Sequence, residues 1–149
     1  MAPRFSQAGC HVTPVRGGVG FAPKSGYCLV LIDDGRLAIV QPPGTLVDGA
    51  PVSGVELTTP ALQRRVGTAT FVRMNGHQWA IDFYYAAQAE RLRSGGTGRT
   101  ISVFFGFGWL ASARLARQLN RRFVGALVEQ GAAGRRSGAA PASLPASRG

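Results

Sequence analysis

Thr68-Ala-Thr-Phe-Val-Arg-Met-Asn75-Gly76-His-Gln-Trp-Ala-Ile-Asp-Phe83 is the stretch whose reading decides the fold. Asn-Gly between two runs rich in β-branched and aromatic residues supplies the two positive φ angles of a type I′ turn, which predicts a two-residue hairpin. With Asn75 and Gly76 as the loop, Met74 faces His77, Val72 faces Trp79, Thr70 faces Ile81 and Thr68 faces Phe83. Trp79, Ile81 and Phe83 then share one face of the ribbon and Gln78, Ala80 and Asp82 the other, which is the period-two pattern of a strand laid on a core.

Upstream, residues 27–41 repeat the device. Tyr-Cys-Leu-Val-Leu-Ile runs into Asp33-Asp34-Gly35 and then Arg-Leu-Ala-Ile-Val-Gln. An Asp34-Gly35 turn pairs Ile32 with Leu37 and Val30 with Ile39. Leu29, Leu31 and Val40 make the second face apolar too, so this ribbon is expected to be covered on both sides or to lie where a sheet curls. Pro42 and Pro43 end it. Residues 44–51 read as loop with a short apolar piece at Leu46-Val47. Residues 52–58 read as a short strand, bent or bulged at Gly54. Residues 60–67 are expected to be a connection bearing Arg64 and Arg65.

Downstream, residues 84–99 read as a short helical turn running into a Gly-rich loop, and residues 100–105 (Thr-Ile-Ser-Val-Phe-Phe) as a last strand broken by Gly106. Residues 111–130 carry a helical period. Ser112, Leu115, Ala116, Leu119, Phe123, Ala126 and Leu127 fall on one face, and Arg114, Arg117 and Arg121 form a stripe almost opposite, with Arg122 at its flank. Gly131 is placed to terminate this helix.

The ends read differently. Residues 1–26, punctuated by Pro3, Pro14, Pro23 and several glycines, are expected to be mobile or at best an edge segment. Residues 131–149, rich in Ala, Gly, Ser, Pro and Arg, have no periodicity and are expected to be a disordered tail. The folded unit is therefore 27–130. Its expected class is mostly β with some α: a bent antiparallel barrel or sandwich of about seven strands, capped by one C-terminal amphipathic helix.

Apolar residues make up 45% of the 149, enough to exclude wholesale disorder. The net charge is +10, and every basic residue except Lys24 is Arg. That excess has two readings: a compositional bias, or a surface that meets an anionic partner such as lipid headgroups, nucleic acid or an acidic protein. Cys10 and Cys28 are the only cysteines. They form no Cys-x-x-Cys, and Cys10-His11 alone makes no metal site. No signal-peptide apolar run opens the sequence, and the longest uncharged stretch, residues 100–113, falls short of the ~20 residues a spanning helix needs. The expected location is cytoplasmic, at most peripheral at a membrane.

The strands followed by a closing helix, with Gly35-Arg-Leu-Ala-Ile-Val40, Pro51-Val-Ser-Gly-Val-Glu-Leu57 and Asn75-Gly-His-Gln-Trp-Ala-Ile81, resemble bacterial pleckstrin-homology-like (PH-like) domains over residues 27–130. The resemblance implies a bent seven-stranded barrel and a role in binding or assembly rather than catalysis. In lipid-binding relatives, basic residues around the first strand-to-strand loop grip phosphates. Here that loop is Asp33-Asp34-Gly35-Arg36, whose carboxylates repel a phosphoinositide and serve better as turn formers.

The candidate anion- or partner-binding residues are Arg64, Arg65, Arg91, Arg93, Arg99, Arg114, Arg117 and Arg121. Against them stands the plain reading of solvated loops and a charged outer helix face. Phe105, Phe107 and Trp109 are candidates for a membrane interface, or else core anchors of strand and helix. His11 and His77 lack a carboxylate or nucleophile at recognisable spacing, so no catalytic site, metal or cofactor is expected. The expected function is a non-enzymatic module that docks a protein or an anionic membrane surface. The alternative is a small basic protein associated with nucleic acid.

Overall fold

A computed structural model describes residues 2–15, 26–93 and 107–134, with side chains from residue 110 onward in the last segment. Its described strands form one eight-stranded sheet in the order β4-β3-β2-β1-β7-β6-β5-β8.

Both predicted hairpins form in the expected register. β6 (Ala69–Met74) and β7 (His77–Asp82) pair Met74 with His77, Val72 with Trp79 and Thr70 with Ile81. Asn75 and Gly76 sit at φ 54° and 77°, as a type I′ turn requires. β2 (Gly26–Asp33) and β3 (Arg36–Gln41) pair Ile32 with Leu37 and Val30 with Ile39 around Asp34 and Gly35, at φ 51° and 74°. Val30, Ile32, Leu37 and Ile39 are fully buried, whereas Leu29, Leu31 and Val40 are only half-buried. The second apolar face is thus partly covered.

Several segments depart from expectation. Phe5–Val15, expected to be mobile or an edge piece, is the eleven-residue β1, lying between β2 and β7. Its Gly and Pro disguise it. Gly9 sits at φ 75° where the register with β2 shifts. Pro14 pairs with β7 beyond the end of the β2 ladder, where a missing N–H costs no second partner. Residues 44–51, expected as loop, form β4 (Thr45–Pro51), because β3 offers a free edge that weak strand formers still fill. The expected strand at 52–58 shrinks to a single 3₁₀ turn, Val52–Gly54, followed by β5 (Glu56–Leu57). The connection at 60–67 contains a short helix, α1 (Ala61–Val66), closed by Gly67 in the left-handed region at φ 78°.

Helix α2 covers residues 84–93. Its first turn is held by Asp82, whose Oδ1 accepts the Tyr84 N–H at 2.8 Å. Helix α3 (Phe107–Glu129) buries Ser112, Ala116, Leu119, Phe123, Ala126 and Leu127 of the face the helical period predicted, half-buries Leu115, and leaves Arg114, Arg117 and Arg121 exposed. Gly131, at φ 101°, ends it as expected. The chain then adds β8 (Ala133–Gly134) parallel to β5, in what was expected to be tail. Gly134 is required there, since a Cβ would lie 2.5 Å from the Leu57 carbonyl oxygen. The expected strand at 100–105 lies outside the described residues.

The core is apolar and aromatic. Phe5, Phe83 and Phe123 meet at ring distances of 5.9, 5.2 and 5.4 Å, which joins β1, the end of β7 and α3. The sheet also closes on itself. Asp48, on edge strand β4, accepts Trp79 Nε1 from β7 at 2.7 Å and Asn75 Nδ2 from the β6–β7 turn at 2.7 Å. In sheet order β4 and β7 are separated by three strands, so those contacts exist only if the sheet curls.

Asp48 is only 10% exposed, and hydrogen bonds to charged groups contribute more than neutral ones. Asp48→Ala is expected to destabilise the fold by about 2–3 kcal/mol, and Asp48→Asn by less. Denaturant unfolding followed by Trp79 fluorescence measures both.

Candidate functional site

The curl leaves β5, β6 and α1 facing the last turns of α3, and between them runs an open groove of about 910 Å³. Leu57, Ala69 and Val124 contribute its apolar lining. At its floor the Thr70 hydroxyl donates to Asn120 Oδ1, so the two buried polar side chains satisfy one another inside an apolar setting. Arg64 and Arg65 border the groove from α1 and Arg121 borders it from α3. Arg64 Nη1 donates to the Thr59 carbonyl at 2.8 Å, which fixes its stem across the helix start. Arg65 and Arg121 have no ion-pair partner among the described residues. Glu129 is the one acid of the lining, and it pairs with Arg4 at 3.4 Å. The balance of the groove is basic.

Arg117 belongs to the same region with a different task. Its Nε donates to the Val66 carbonyl at 3.2 Å, and its stem lies against Gly67. It satisfies a carbonyl at the C-terminus of α1 and ties α1 to α3. The predicted stripe is therefore divided. Arg121 faces the groove, Arg117 braces it, and Arg114 is exposed and outside its lining. Arg91 and Arg93 are not brought to this site. Arg91 Nη1 reaches Ser112 Oγ at 3.4 Å, joining α2 to α3, and Arg93 pairs with Glu90 on α2. Arg99 and Phe105 lie outside the described residues. Phe107 and Trp109 lie in the first turn of α3, with side chains outside the description.

The sequence reading missed three parts of this site: α1 itself, the Thr70–Asn120 pair, and Val128, which lines it with its side chain exposed. The available signal was Pro60 and Gly67 bracketing six residues free of either, the asymmetry of a short helix.

No family model matches this chain, and neither does any curated protein. In structure it is similar to the crystal structure of the pleckstrin homology domain of ArhGAP27. The TM-score is 0.34 at 15% identity, covering 78% of this chain and 99% of that one.

A smaller cleft of about 380 Å³ lies beside His77 and Trp79. His77 is largely exposed, its Nδ1 is 3.9 Å from Asp48 Oδ2, and the lining contains no Ser, Thr or Cys to act as a nucleophile. Among the described residues no three His, Cys, Asp or Glu side chains gather to hold a metal.

On the side of β1 and α2, His11, Tyr27 and Tyr85 pack with ring distances of 5.2, 5.9 and 6.0 Å. Asp82 pairs with His11 across the β1–β7 ladder. Burial raises the Asp82 carboxyl above its ordinary value, opposed by the Tyr84 N–H and by His11. A raised carboxyl holds its proton longer folded than unfolded, so this group's contribution falls as pH rises from 3.8 through its folded value. Asp82→Asn keeps a cap acceptor and removes the charge, so the variant is expected to lose that part of the decline. Denaturation midpoints of the two proteins measured from pH 4 to pH 7, about the range concerned, will show it as converging curves at the acid end.

Proposed function

We propose that the chain is a non-catalytic binding module that docks an acidic segment of a partner protein in the α1–α3 groove. One observation supports this most: Arg64 and Arg65 from one element and Arg121 from another border the same apolar groove. Guanidinium groups on a rim favour carboxylates and steer their approach, while the apolar lining contributes area that a purely ionic contact lacks. The PH-like resemblance of the sequence points to binding as well.

A second reading takes an anionic membrane as the partner. It is favoured by Leu62 and Val66, exposed one turn apart on α1 beside Arg65. A flat bilayer would meet these side chains and the rims, and leave the Thr70–Asn120 floor uncovered. No helix among the described residues is long and apolar enough to cross a membrane.

The test compares three probes by titration at low and moderate salt: an amphipathic peptide alternating Glu with Leu, vesicles containing phosphatidylserine, and a single-stranded oligonucleotide. The peptide is expected to bind best. Reversing Arg64, Arg65 and Arg121 to Glu is expected to weaken it about tenfold or more, and Arg114→Glu to leave it unchanged. Equal loss with Arg114→Glu would move the site to the whole helix stripe, and preference for vesicles would establish the second reading. Absence of binding by all three probes would end the proposal.

A further inference from the structure

Cys10 and Cys28 are the only two cysteines of the chain, and nothing in their spacing associates them. The fold makes them direct partners across the antiparallel β1–β2 ladder. The device is the bulge at Gly9. Gln7 pairs with Val30, and a regular ladder would continue by setting residue 9 opposite Cys28. Gly9, at φ 75°, takes up the extra residue, so that Cys10 is the one opposed. Both side chains face the core, 0% and 4% exposed, among Val12, Val30 and Ile32. Both are free thiols. Their hydrogen bonds are weak ones to backbone carbonyls, Cys10 Sγ to Gln7 at 3.3 Å and Cys28 Sγ to Gly26 at 3.9 Å.

Directly opposed residues of an antiparallel pair have Cα atoms roughly 4.5–5.5 Å apart. A disulfide spans about 4.4–6.8 Å between Cα atoms, a range that contains this spacing. We propose that Cys10 and Cys28 are a redox-active pair that closes a reversible intramolecular disulfide, with a low-molecular-weight disulfide as the oxidant.

In the first step the Cys28 thiol loses its proton, and its sulfur attacks one sulfur of the oxidant. This forms a mixed disulfide and releases one thiol. The Cys10 sulfur, giving up its own proton, then attacks the Cys28 sulfur and displaces the second half of the oxidant. Two electrons and two protons pass from the cysteines to the oxidant, which leaves as two thiols. Cys28 is the entry point because Cys10 is the more deeply desolvated. Burial, with Cys28 and Asp82 adding to it, pushes the Cys10 thiol up to about 12, while Cys28 is raised by burial alone. Reaction waits on opening of the ladder near its end at Val12 and Gly26, so it is expected to be slow. Once closed, the bond joins β1 to β2 and closes the chain between residues 10 and 28 into a ring, which restricts the unfolded state.

The test uses the full chain, fully reduced and then equilibrated in mixtures of glutathione and glutathione disulfide, with acid quenching and alkylation before mass analysis. Both thiols are expected to disappear together, in a monomer lighter by two hydrogens that yields a cross-linked Cys10–Cys28 peptide. The thermal midpoint is expected to rise by roughly 5–10 °C and to return on adding dithiothreitol. Cys10→Ala and Cys28→Ala should each abolish the product. The measurement on the unaltered chain decides the matter even if a variant folds poorly. Two free thiols in the most oxidising mixture, a glutathione adduct on Cys28 with Cys10 still free, or cross-linked dimers in place of the monomer would overturn the proposal.

Discussion

The carboxylate of Asp48 is the contact on which the rest of the architecture turns. It collects the Gly49 N–H at 2.8 Å, the Asn75 amide and the Trp79 indole, joining the outermost strand of one end of the sheet to a hairpin well inside it. Asn75 donates in addition to the Gly49 carbonyl at 2.8 Å. A curled sheet needs some reason not to flatten, and a nearly buried charge with two of its donors across the curl is one, because flattening would leave it only the Gly49 N–H. The curl brings Phe5, Phe83 and Phe123 together and makes room on one side for a single helix.

The groove follows from that economy. Helix α3 is amphipathic and buries one face, so its opposite side has to end against something or remain open. Near Val66 it ends against α1, through Arg117. Farther along, a trough runs between it and β5, β6 and α1. The Thr70–Asn120 pair places a polar feature in the floor, and Arg64, Arg65 and Arg121 stand at the rims. β8 covers the outer edge of β5 and so removes an unpaired strand edge beside the trough, an edge that would otherwise invite non-specific strand pairing. The same fold places two thiols against one another at some distance in sequence, by a bulge whose effect is to shift one strand by a single residue.

Legibility followed the range of the interaction. The two hairpins were readable because Asn-Gly and Asp-Gly impose local backbone geometry and the neighbouring residues alternate. The face of α3 was readable because a helix buries what its period gathers. β1 was not, since Gly9 and Pro14 look like breakers until the bulge and the end of the β2 ladder are known. β4 was not, since it exists to pair with β3 and its own side chains argue weakly for a strand. Of the basic candidates, Arg64, Arg65 and Arg121 converge, and Arg117 proves to be a brace. Nothing in their spacing separates these roles, because the difference lies in a carbonyl at Val66 that meets Arg117 only after folding.

By itself, then, the amino-acid sequence determined the turns, the strand registers beside them, the buried face of the last helix and the strong positive charge. These are decided by neighbours a few positions apart, through dihedral preference and periodicity. The tertiary structure alone decided the order of the strands, the closure through Asp48, the groove between α1 and α3 and the opposition of Cys10 to Cys28. Those depend on which distant segments share a ladder, and pairing of that kind is settled by the burial and hydrogen bonding of the whole chain at once.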